Sequence, residues 1–408
     1  MKLFPPRGLL PLPGAISISL FLSLCLAPAA HPQDIRHNVG VVNIEIPVRV
    51  FDGGAFVDDL TLGDFEVTED GVPQQVQAVY LIRKAALARK EETKTFAPPT
   101  SRTFLLVFEL HEYLPKVREA LDYFLSDILM PGDSLVVGTP RKTYRMKPDV
   151  LSTTPRDKIL DRLNGLVRKD ILTASQEYRR ALNDLKELVA QGQSMSSGPM
   201  DYDLGSCSLE ETLSEYRMRL QRLESLRSLD EKKFLEFSRA LKSATGQKIV
   251  FLFYQREFLP TIDKDTYFAT VGTNEHLDGL MAELFSLNKR EPTLSPEVIR
   301  NALADASITV NFLYLTSRTD DIPVQQMTEH SEDVFRPFLE MAKTTGGVAS
   351  SSTNPAAMMA TASAAAENYY LVYYSPRDYK PDGKFREIEV RVKKGACRVT
   401  HRAGYFAD

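Results

Sequence analysis

The 408-residue chain sets 50 Lys and Arg against 54 Asp and Glu, a formal net charge of −4 at neutral pH. That balance lacks the basic stripe that nucleic-acid binding requires, and no segment reaches the roughly 18 uninterrupted apolar residues of a membrane-spanning helix. Three cysteines are too few to fix a disulfide framework.

Residues 1–30 read as a secretory signal: Lys2 and Arg7 precede an apolar run at 16–26, and Ala27-Pro28-Ala29-Ala30 offers small residues for cleavage near Ala29/Ala30. A lipoprotein reading would use Cys25, but bulky Leu24 stands where that signal needs a small residue. The expectation is a protein secreted or held in the periplasm, with losing Lys2 and Arg7 taking the charge from −4 to −6. Cys207 and Cys397 would remain, either as one disulfide in an oxidising compartment or as two thiols.

The first folded segment, 38–83, reads as β. Val42, Ile44, Ile46, Val48 and Val50 alternate with polar residues and Pro47, the period of a strand with one buried face. Turns at Asp52-Gly53-Gly54 and Glu69-Asp70-Gly71 separate further short strands at Phe65, Val67 and 75–82. Charged and Pro-containing residues 84–100 read as a linker. From 101 to 367 strands and helices alternate: 104–108, 134–138, 249–253 and 308–315 are continuous apolar runs, and 116–129 is a helix. Such runs belong to a doubly wound α/β sheet covered on both faces. Asn354-Pro355 and Ser295-Pro296 mark helix starts, and Gly346-Gly347 a helix end. Residues 159–189 and 209–241 carry helical spacing around a Gly/Ser/Met loop at 191–205, which predicts a helical hairpin inserted at about 168–243 with its tip at 194–205. The last segment, 368–408, returns to β, and the two terminal segments are too small to close cores alone. They are expected to pair into one β-sandwich interrupted by the α/β domain.

The stretch LTLGDFEVTEDG from Leu60 to Gly71, with YYLVYY from Tyr369 to Tyr374, DGKFREI from Asp382 to Ile388 and Arg402-Ala403-Gly404-Tyr405, resembles the opening and closing patterns of the bacterial secreted von Willebrand factor A-related domain proteins of acidobacterial type. The resemblance implies an A-type, Rossmann-like α/β domain and a divalent-metal adhesion site built from Asp-x-Ser-x-Ser after the first strand, a Thr, and a distant Asp. Here the first motif's positions hold Glu109, His111 and Tyr113, and the later acidic loop reads Tyr254-Gln255-Arg256-Glu257; Thr139 is the nearest Thr. Hard cations need several clustered oxygens, so the ion site reads as degenerate, with no Mg²⁺, Ca²⁺ or Mn²⁺ ligand carried across.

Enzymatic motifs fare no better. His111-Glu112 begins a zinc-protease pattern, but Pro115 stands where the second His belongs. No Gly-x-Ser-x-Gly elbow occurs. Asp58, Asp59, Asp64, Glu69 and Asp70 lack the spacing of a Ca²⁺ loop, and turn and capping duties account for them. His276, His330 and His401 have no ligand-spaced neighbours. The sequence therefore predicts a non-enzymatic binding, scaffold or adhesion protein for a protein partner or other extracellular macromolecule, without cofactor. Its contact rim would be Glu109, His111, Glu112, Tyr113, Gln255, Arg256 and Glu257, unless the hairpin or the sandwich makes the contacts. The alternatives are metal-dependent adhesion through an altered site, and, more remotely, a hydrolase using Glu109 or Glu112 as general base.

Overall fold

The computed structural model describes residues 42–195, 202–227, 231–260, 295–315, 327–329 and 332–408. The signal segment with Cys25 and Ala29/Ala30, His276, His330 and residues 196–201 of the hairpin tip lie outside the described residues.

Strand β1 (Ile44–Asp52) buries Ile44, Ile46, Val48 and Val50 on one face, and β2 (Ala55–Phe56) folds back on it after Gly53 and Gly54. β3 (Phe65–Glu69), β4 (Val72–Gln74) and β5 (Val76–Arg83) follow. The predicted linker at 84–100 is a correction: it contains β6 (Ala86–Glu92), antiparallel to β5. Its turn residues Lys84 and Ala85 both adopt positive φ, at 46° and 62°. Asn and Gly normally announce such a turn. The charged side chains of β6 suit the edge of a sheet but imitate a linker.

The α/β part begins with β7 (Arg102–Glu109), α1 (Lys116–Tyr123), a π turn at Phe124–Ile128, β8 (Ser134–Gly138), β9 (Thr143–Met146) and α2 (Pro148–Thr153). The helices α3 (Arg156–Ala174), α4 (Gln176–Met195), α5 (Tyr202–Arg227) and α6 (Glu231–Lys242) lead into β10 (Gln247–Gln255) and β11 (Phe258–Pro260). Then come α7 (Pro296–Asp305), β12 (Ile308–Leu315), β13 (Met327–Glu329), α8 (Glu332–Thr344), β14 (Ala349–Ser352) and α9 (Pro355–Glu367). The sheet order is β14-β12-β10-β7-β8-β9, parallel except for β9. Phe104, Leu106, Phe251 and Phe253 pack on α1, α3 and α9; Leu105, Val250, Leu252 and Phe312 pack on α6, α7 and α8. Burial on both faces is why these strands read as unbroken apolar runs.

Two boundaries differ from expectation. The helix predicted over 159–189 breaks at Ser175, and α3 places Val167 and Ile171 in the core beneath the sheet. The hairpin proper therefore starts at Gln176, not near 168. Its helices also run to Met195 and resume at Tyr202, through much of the predicted 191–205 loop. Tyr178, Leu185, Tyr216, Leu220 and Leu223 close a separate small core with Leu259 of β11.

The chain finishes with β15 (Asn368–Tyr374), β16 (Phe385–Val392), β17 (Arg398–His401) and β18 (Gly404–Phe406). β15 inserts between β1 and β5 in a sheet ordered β17-β1-β15-β5-β6, while β16 joins β3 and β18 in the sheet β18-β16-β3-β4. Val48, Val67, Leu81, Tyr370, Tyr374 and Val390 fill the space between the two sheets. β1 was read as half-buried, yet its other face is covered too. Arg49 is 2% exposed there, and its Nη1 donates to the carbonyl of Gly346 at 3.4 Å.

Candidate functional site

β7 and β10 lie side by side in parallel, pairing Phe108 with Phe253 and Glu109 with Tyr254. Segments 110–113 and 255–257 therefore leave the sheet together at its carboxyl edge, where ligand sites form in such sheets. The predicted rim residues are gathered in one place.

Their side chains are largely engaged, one pair with each other and the rest with residues outside the rim. Gln255, fully buried, accepts the backbone N–H of Glu112 at 3.0 Å, and its amide donates to the Glu112 carboxylate at 3.4 Å. Glu257, also fully buried, accepts the Tyr178 hydroxyl at 2.7 Å, and the Tyr178 ring lies 4.9 Å from that of His111. Tyr113 donates to Asn164 at 2.5 Å beneath the guanidinium of Arg168. Arg256 donates to Ser351 at 2.9 Å and lies over the Tyr314 ring at 4.8 Å. Gln255 and Glu257 are thus corrections to the rim: they cannot offer contact surface. β10 is flanked on both sides and runs on into β11, whose Leu259 is capped by the hairpin, so 255–257 sit under a roof. Glu112 is exposed, and Glu109, His111, Tyr113 and Arg256 are partly so.

Thr139, just past β8, donates to Asp170 at 2.8 Å, and Tyr144 donates to the same oxygen at 2.6 Å. Burial alone would raise the pKa of Asp170, but the Tyr144 and Thr139 hydroxyls, with Arg141 and Lys142 nearby, hold the carboxyl below its usual range. The bond to Asp170 in turn raises the Tyr144 phenol. Asn164, Asp170 and Tyr178 escaped the sequence reading. Asp170, set between Val167 and Ile171 on the apolar stripe of α3, is the one that carried a signal: an acid on a buried face requires partners.

Among the described residues no group of three or more His, Cys, Asp or Glu could hold a metal ion. The acidic residues near the amino end are separately engaged. Asp58 pairs with Arg83 and Asp59 with Lys394; Asp64 caps Thr61; Glu69 accepts Tyr374 at 2.6 Å and Tyr405 at 3.0 Å; Asp70 accepts the N–H of Glu387 at 2.9 Å. Cys397 donates to the Lys394 carbonyl at 3.1 Å, and the side chain of Cys207 lies outside the described residues.

No protein-family model matches the chain, and no curated protein does. Among solved structures it is similar to the human COPII-coat protein Sec24c, at 8% identity and a TM-score of 0.31 over 76% of this chain and 44% of that one. The chain thus spans less than half the length of that protein.

Proposed function

We propose that this is a non-enzymatic extracytoplasmic protein that binds or scaffolds a protein partner or other extracellular macromolecule. In this reading it does so through a von Willebrand A-like domain whose ion site is degenerate. The observation that carries the reading is the closure of the carboxyl edge on itself. The oxygens that a cation or a substrate would need are committed within the chain, Glu112 to Gln255, Glu257 to Tyr178 and Asp170 to Thr139 and Tyr144. A general base at Glu112 would have to break its bond with Gln255. A rim fixed by such bonds loses little freedom when it docks, which favours contact with a macromolecule. The contact residues are Glu109, His111, Glu112, Tyr113 and Arg256.

The test is a photo-crosslinking side chain placed at position 112, with a control at Val298, which is 44% exposed on α7. The reading expects a discrete adduct from position 112 in the producing cell, weakened by joint Tyr113→Ala and Arg256→Ala substitution. Equal adducts from both positions, or none from 112, would remove the rim as the contact surface.

A further inference from the structure

The buried face of β1 holds a group of polar atoms that the carboxyl-edge reading does not use. Arg49 faces Thr400 of β17 across the ladder, and on its other side its guanidinium carbon stands 5.8 Å from the centre of the Tyr369 ring in β15. The turn after α8 closes over them: a Cβ added at Gly346, whose φ is +74°, would stand 3.2 Å from Arg49 Nη1 and 3.6 Å from Thr400 Oγ1. Three strands from both terminal segments and one turn of the α/β part thus meet at a single side chain.

Within this group Arg49 Nε, Arg49 Nη2, Tyr369 Oη and Thr400 Oγ1 are all buried without a hydrogen-bond partner. Nε and Nη2 form one edge of the guanidinium, a fork of two parallel N–H groups matched to the two oxygens of a carboxylate or phosphate. The same chain shows that edge satisfied. Arg102 Nε and Nη2 donate to the two oxygens of Asp133 at 3.0 and 2.6 Å in an equally buried setting. For Arg49 no group among the described residues takes Asp133's place.

The surroundings favour an anion rather than a cation. Arg402, whose Nε is also buried without a partner, and Lys248 lie near enough to act on Glu45, the carboxylate two pleats along β1 from Arg49. Glu45 is itself engaged by the Tyr373 hydroxyl. Burial pulls the Arg49 pKa down to about 10, with only the nearby Tyr369 acting the other way. A buried charge left with its fork unmet is costly.

We propose that Arg49, Tyr369 and Thr400 form a binding site for one small oxyanion, a carboxylate or a tetrahedral anion, buried between the β-sandwich and the turn that follows α8. The anion takes two N–H bonds from the Arg49 fork and one hydroxyl from each neighbour. Because its ligands come from both terminal segments and sit against Gly346, its binding ties the sandwich to the α/β part.

The experiment uses the whole chain dialysed into Tris chloride. One portion is denatured and the released anions are separated by ion chromatography. Another is unfolded thermally with added phosphate, sulfate or formate at fixed ionic strength. The site predicts either near-stoichiometric release of an oxyanion or a saturable rise in Tm with at least one of the three, since a native-state ligand stabilises by mass action. Which anion acts separates the tetrahedral from the carboxylate source. Tyr369→Phe and Thr400→Val should each weaken the apparent affinity about five- to tenfold, and Arg49→Lys, which keeps the charge but loses the fork, should abolish saturation. The hydroxyl variants keep the test decisive if Arg49→Lys fails to fold. No released anion together with no saturable shift would overturn the site. So would a rise that is equal in wild type and variants, which is the general effect of excluded salts. Neither result bears on the carboxyl-edge rim, whose test is separate.

Discussion

The two ends of the α/β sheet have opposite polar economies. At the carboxyl edge, where the fold rule directs attention, Glu112 is bonded to Gln255, Tyr113 to Asn164, Glu257 to Tyr178 and Thr139 to Asp170. At the other end, against the sandwich, the Arg49 fork and the Tyr369 and Thr400 hydroxyls are buried and unmet, although the same fork of Arg102 is met by Asp133. The position of a strand end says where a site could be built; only the hydrogen-bond accounting says whether its groups are spoken for.

The largest test of that contrast sets the two buried arginines against each other. Asp133→Ala strips both carboxylate oxygens from Arg102, leaving it only the Ile128 carbonyl at 3.0 Å, and removes the acceptor of the Met130 N–H, bonded at 2.7 Å. The expected loss is about 3–5 kcal/mol in urea unfolding, the usual cost of orphaning a buried charge. Arg49→Met, measured in oxyanion-free buffer, should cost far less or stabilise, because it removes a charge whose fork is already unmet. Equal losses would erase the distinction between the two arginines.

Lys248 sharpens the same end of the molecule through pH. Burial depresses its pKa to about 8, with Arg402 adding to the effect and Glu45 and Asp305 opposing it. Below pH 8 the lysine is charged in both states and its burial cost is fully present. Between about 8 and the unfolded value near 10.5 the unfolded chain binds more protons, so stability should rise with pH. Lys248→Met should flatten that rise, while taking the donor away from the Ala306 carbonyl, bonded at 2.7 Å. An unchanged slope would show that the lysine is not desolvated.

At the carboxyl edge the effects should be smaller and local. Tyr178→Phe removes the hydroxyl that Glu257 accepts and should cost about 0.5–1.5 kcal/mol, the range for a single hydrogen bond. Glu112→Ala, at the exposed lip, should change stability by less than about 0.5 kcal/mol while weakening partner capture. A large loss at Glu112 would make the edge a structural knot and not a docking rim.

Much of this layout could be read from residue order, and the unread parts have identifiable causes. β7, β10 and β12 stand where continuous apolar runs place them, and Asn354 accepts the Ala357 N–H at 3.2 Å where the Asn-Pro signal puts a cap. β6 was missed because its turn uses Lys84 and Ala85 and its side chains are charged, and β14 because ASSS carries no apolar signal. The location of the rim was legible, since it follows from strand ends alone. The burial of Gln255 and Glu257 was not, because it depends on β11 and α4 crossing above them. Arg49 was hidden for a related reason. Alternation with Val48 and Val50 marks one buried face but cannot show that a second layer covers the other.

The most direct test of the central claim, a binding edge closed on itself and independent of metal, is thermal unfolding of the protein titrated with Mg²⁺, Ca²⁺ and Mn²⁺ against a chelator control. The account predicts curves that superimpose for every ion. A saturable rise in Tm that Glu109→Ala removes would contradict it and put metal-dependent adhesion in its place.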